Sequence, residues 1–79
     1  MTRDERLLQA LLAGELGVAE LAARSGIPPR TINDGLRWLM GEAYVFSPTR
    51  GRYRLTGLGR RVADDLSRQP ADRPLDLTL

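Results

Sequence analysis

Twelve arginines, with no lysine, histidine or cysteine, set the chemistry open to this 79-residue chain. The missing histidine and cysteine remove the usual general base, the commonest metal ligand and the thiolate nucleophile together. Ser25, Ser47 and Ser67 have no base to activate them. Asp64 and Asp65 are neighbours, and neighbours on a helix diverge by about 100°, so they do not converge on one substrate atom. Gly57-Leu58-Gly59 is too short for a phosphate-cradling loop and lacks its lysine. The chain is therefore expected not to be an enzyme and to carry no cofactor or metal. A small-molecule effector is not indicated.

What the arginines can do is bind anions. Residues 24–61 hold Arg24, Arg30, Arg37, Arg50, Arg52, Arg54, Arg60 and Arg61 against only Asp34 and Glu42. That block is strongly positive in a chain whose net charge is only +2, and the remainder is acidic. Such segregation marks a face for a polyanion. A GC-rich genome is the simpler cause of exclusive arginine usage. Arginine is nonetheless the side chain that pairs bidentately with phosphate and guanine.

The helices and strands that present these arginines can be read from local patterns. Thr2 and Glu5 have capping-box spacing, which predicts a helix carrying the stripe Leu7, Leu8, Leu11 and Leu12, ended by Gly14 and Gly17. A short helix over 18–24 would bury Val18, Leu21 and Ala22, and Ser25-Gly26 makes a tight turn. A third helix opens at Ile27-Pro28-Pro29 with Pro29 in its first turn. Ile32, Leu36, Leu39 and Ala43 fall on one side of it, and Arg30, Asn33, Asp34, Arg37 and Gly41 on the other. Gly35, beside the apolar stripe, permits another helix to approach closely, and Trp38 at the border is expected to pack into the core. The runs 44–46 and 52–55 flank a Pro/Gly turn and predict a hairpin, with Tyr53 and Leu55 on one face and Arg52 and Arg54 on the other. Thr56 caps a last helix with Leu58, Val62 and Leu66 as its apolar positions, stopped by Pro70.

The expected organisation is one domain over residues 1–69, with 70–79 as an extended or disordered tail bearing Leu75, Leu77 and Leu79. At 42% apolar and 28% charged residues, with no run long enough for a membrane span and charge from Arg3 onward, a cytoplasmic protein with no membrane role is expected.

The strings LLQALL, GVAELAARSGIPPRTI, LRWLMGEAYV and GRYRLTGLGRRVADDL, within residues 7–66, resemble the winged helix-turn-helix of IclR-type N-terminal domains and MarR-like transcriptional regulators. The resemblance implies a mainly α fold with a small β-hairpin: a three-helix core, a two-stranded wing over 45–55 and a C-terminal helix. It also implies a recognition helix over 28–40 and double-stranded DNA as the partner. DNA contacts are expected from Arg30, Thr31, Asn33, Asp34 and Arg37 on that helix and from Arg50, Arg52 and Arg54 on the wing. The large effector domain of IclR-type proteins and the long dimer helices of MarR-like ones have no counterpart in these residues. A homodimer on two half-sites is expected, through the first helix, the last helix or the tail. The other reading is a winged-helix protein-interaction module, in which the basic face grips an acidic protein.

Overall fold

In the computed structural model, which describes residues 2–68, the chain folds in the order α1 Arg3–Ala10, α2 Val18–Ser25, α3 Pro29–Gly41 and α4 Gly57–Arg68. Three short strands, β1 Leu16–Gly17, β2 Val45–Phe46 and β3 Arg52–Leu55, form an antiparallel sheet in the order β1-β3-β2. This is the winged helix-turn-helix architecture that the sequence implied. The Pro70 stop and the expected tail lie outside the described residues.

Local chemistry accounts for most of the boundaries. The Glu5 N–H donates to Thr2 Oγ1 at 3.2 Å, and the Thr2 N–H donates to Glu5 Oε1 at 3.0 Å, closing the expected capping box. The first helix tightens into a 3₁₀ turn over Leu11–Ala13 before Gly14 breaks it at φ 123°. Gly17 does not end that helix. It lies in a strand and precedes α2, a strand too short to leave a sequence signal. Between α2 and α3, Gly26 takes φ 74°, a conformation that Cβ-bearing residues disfavour, and its N–H donates to the Ala22 carbonyl.

The core gathers Leu7, Leu8 and Leu11 of the first helical segment around Leu16, Leu21, Ile27, Ile32, Leu36, Leu39, Val45, Leu55 and Ala63. Two glycines let helices come close enough to close it. A Cβ on Gly35 would stand 2.6 Å from Leu7 Cδ1, so α1 crosses α3 there, as the sequence suggested. A Cβ on Gly59 would fall 1.9 Å from the Tyr44 carbonyl oxygen, which places α4 directly on the chain leaving α3.

Three expected core positions lie elsewhere. Trp38 is 59% exposed, because α3 buries Ile32, Gly35, Leu36 and Leu39 and Trp38 projects about 100° from Leu39. Ala43 is exposed beyond the helix end at φ 66°. Leu58 is 46% exposed, because the contact at Gly59 turns Gly59 and Ala63 inward and Val62 and Leu66 to the half-buried border.

The two glycines predict losses of different size. Gly59→Ala drives a methyl into backbone, and overpacking of this kind costs about 1–3 kcal/mol or more. Gly35→Ala meets the end of the buried Leu7 side chain, which must shift, but no backbone, and it gains about 1 kcal/mol of helix propensity, so its net loss is expected to be smaller. Urea denaturation of both variants checks the order.

Candidate nucleic-acid interface

The third helix presents the charged face that its periodicity implied. Arg30, Asn33, Asp34 and Arg37 are exposed, and Thr31 is half-buried. Pro28 precedes the helix in extended conformation and Pro29 occupies the first turn, where no N–H is needed. The turn out of α2 is fixed by Ser25, whose hydroxyl donates to the Leu21 carbonyl at 2.6 Å and accepts the Ile27 N–H at 3.2 Å. Ile27 is buried, so the turn leads α3 out at a fixed angle.

The wing follows from the register. Val45 pairs with Leu55 and Phe46 with Arg54, so Tyr53 and Leu55 face inward while Arg52 and Arg54 face outward, as the alternation predicted. The turn at its tip is set by Gly51 at φ 78°, by the Arg52 N–H donating to the Thr49 carbonyl, and by the Ser47 hydroxyl donating to the same carbonyl. Arg50 and Arg54 are exposed and form no ion pair among the described residues.

Arg52 has a different placement from the free wing contact expected of it. Its Nε donates to Glu15 Oε2 at 3.2 Å, its Nη1 to Glu20 Oε1 at 2.9 Å and its Nη2 to the Glu15 carbonyl at 3.2 Å. Glu20 Oε1 also accepts the Gly17 N–H at 2.8 Å at the start of α2. One guanidinium thus ties the wing to β1 and to the first helix of the helix-turn-helix. Glu15 and Glu20 carry no distinguishing sequence signal, since a strand of two residues is needed to bring them opposite Arg52.

Among the described residues, Arg24, Arg30, Arg37, Arg50, Arg54, Arg60 and Arg61 have no carboxylate partner within ion-pair distance. Most of the basic block is therefore uncompensated. Asn33 and Arg37 share a notch of ≈ 370 Å³ with Tyr53 of β3, so the outward face of α3 and the wing border one another. The alternation of the hairpin places Tyr53 on its inner face and outside the site. Its half-buried ring reaches the notch because β3 is the central strand. Among the described residues, no group of three His, Cys, Asp or Glu side chains could hold a metal ion, and no helix is long and apolar enough to cross a membrane.

No family model and no curated protein matches this chain. Solved structures do. The chain is similar to IdeR of T. acidophilum at TM-score 0.75 and 23% identity, covering 87% of this chain and 34% of that one. It is similar to BpsR of Bordetella bronchiseptica, whose DNA binding is regulated by 6-hydroxynicotinic acid, at TM-score 0.72 and 17% identity over 85% of this chain and 53% of that one. A MarR-family protein of Mycobacterium tuberculosis gives TM-score 0.69 and 28% identity over 85% of this chain and 52% of that one. The fold is that of winged-helix regulators of the MarR and IdeR kind, and the chain spans between a third and just over half of these proteins.

The brace predicts how the wing responds to acid. The Gly17 N–H holds the Glu20 carboxyl below its ordinary value, and the charges of Arg52 and Arg24 act in the same direction. A depressed folded-state value means that this stabilisation is present above the ordinary glutamate range and is lost as pH falls through the depressed value. An NMR titration should therefore show the Gly17 and Arg52 amides moving together below that range. Glu20→Gln should abolish the transition.

Proposed function

We propose that the chain is the DNA-binding unit of a transcriptional regulator, that it binds double-stranded DNA sequence-specifically, and that it catalyses no reaction. The observation that carries this reading is the juxtaposition of an exposed, uncompensated face of α3 with an arginine-bearing wing on a helix-turn-helix scaffold. The second helix of such a pair enters the major groove, which is wide enough to admit it. Arg30, in the first turn of α3, comes nearest the base edges and suits guanine. Asn33, one turn later, offers the donor and acceptor that adenine requires. Thr31 flanks them, and Asp34 accepts from cytosine or orients a neighbouring arginine. Arg50 and Arg54 hold phosphates or the minor groove, while Arg52 holds the wing itself. The regulatory role is supported by the MarR-family likeness and by a neighbour whose DNA binding is regulated.

A lone unit of this size covers few base pairs, so the chain acts as a homodimer on half-sites about one helical turn apart. Sedimentation velocity on the selected duplex should give two copies per site, and a single copy at saturation overturns the dimer.

The other reading, a protein-interaction module, draws on the exposure of Trp38, Met40, Phe46 and Leu58. Binding to random duplex separates the two. A DNA binder shows affinity that falls steeply with salt, and a protein adaptor shows little.

The residue roles are tested on a site selected from random duplexes. Arg30→Ala and Asn33→Ala should each cost about 1–3 kcal/mol on that site and much less on scrambled DNA. Arg50→Ala should weaken both duplexes alike and lower the slope of log affinity against log salt by about one. Arg52→Ala should also weaken both, with a smaller change in slope, because its charge is already shared with two glutamates.

A further inference from the structure

We infer that the notch between α3 and β3 is a seat for one phosphodiester of the bound strand and its deoxyribose, with the Tyr53 hydroxyl as a phosphate ligand beside Arg37. This rests on the DNA-binding reading above and assigns it a contact that neither the helix periodicity nor the hairpin pattern supplies. The notch, ≈ 370 Å³, is lined by Asn33, Leu36, Arg37, Met40 and Tyr53. Its polar groups are an amide, a guanidinium and a phenol. All three can donate a hydrogen bond, and no carboxylate lines the notch to repel an anion. Leu36 and Met40 provide an apolar floor of the kind the sugar face of a nucleotide packs on, while the phenol and the guanidinium meet the phosphate oxygens and Asn33 stays turned to the bases.

Two further features fit this ligand. Among the described residues the Tyr53 hydroxyl and the Arg37 guanidinium make no hydrogen bond or ion pair with protein, so both are free to donate. Tyr53 is also held in place. It sits on the central strand opposite Leu16 and packs its half-buried ring on the core. A rigid donor on the wing and a longer cation on the helix, on opposite walls of one notch, grip a backbone running between the two elements. Contacts of this type set register and orientation and carry no base preference. Arg37 thereby separates from Arg30: the first turn of α3 chooses bases, and its third positions the strand.

The test uses the whole chain and duplexes of the selected site in which single phosphodiesters are replaced by neutral methylphosphonates. Tyr53→Phe, which keeps the ring, and Arg37→Gln should each bind the unmodified site and scrambled DNA about tenfold more weakly, with the ratio between the two preserved. One phosphate per half-site should cost the wild type about tenfold when neutralised and cost either variant almost nothing further. The salt slope should fall by about 0.9 for Arg37→Gln and stay unchanged for Tyr53→Phe, whose hydroxyl is neutral. Thermal melting confirms that both variants fold. Should Tyr53→Phe melt early, Arg37→Gln on the exposed helix face carries the same methylphosphonate comparison. Full sensitivity to every methylphosphonate in both variants overturns the seat, as does coupling of Arg37 without Tyr53. Loss of the seat alone leaves wild-type binding to the selected site intact. A wild type with no salt-dependent binding to any duplex instead overturns the DNA reading itself, and no variant is needed to see it.

Discussion

The side chain of Thr56 joins the three parts that must keep fixed positions for this surface to exist. Its hydroxyl donates to the Ala43 carbonyl at 2.6 Å, beyond the end of α3, and accepts the Gly59 N–H at 3.0 Å in the first turn of α4. Its own N–H donates to the Tyr44 carbonyl at 3.0 Å. The exit of α3, the exit of the wing and the start of α4 thus meet at one residue. The node depends on Ala43 accepting φ 66° to reverse the chain and on Gly59 having no Cβ. Together these orient the charged face of α3 against the sheet.

A second tie acts at the other edge of the sheet. Arg52 opens the second strand of the wing, next to its tip, and its three donors engage Glu15, just before β1, and Glu20 of α2. Exposed ion pairs contribute little stability individually, about 0–1 kcal/mol. Their value here lies in geometry. A two-stranded ribbon alone is marginal in water and free to swing, whereas the third strand and this guanidinium fix its angle to the helix-turn-helix. A wing ordered in advance would remove part of the entropy cost of the proposed association.

These two ties divide the labour among the arginines. Arg52 is neutralised by the protein and serves the scaffold. Arg30, Arg37, Arg50 and Arg54 remain without carboxylate partners among the described residues, so their charge is left for the polyanion of the proposed function. Formal charge along the chain treats all of them alike, and only the fold distinguishes them.

The helices, the hairpin and the two-faced character of α3 are legible along the chain, because they depend on near-neighbour chemistry. The Thr2 and Glu5 capping box, the Pro29 start, the turn at Gly26 and the alternation of Arg52 to Leu55 each concern residues a few positions apart. Gly35 was legible for the same reason, as a glycine beside an apolar stripe. Its counterpart at Gly59 was not, because nothing local says that Tyr44 lies under α4, and the exposure of Leu58 follows from that contact. Trp38 likewise sits on a border whose side is chosen by where α1 crosses. The first strand, the capture of Arg52 by two glutamates more than thirty residues away, and the meeting of Tyr53 with Arg37 arise from long-range packing. Side-chain periodicity states which way a residue points along its own element, and no local rule states what another element will bring opposite it.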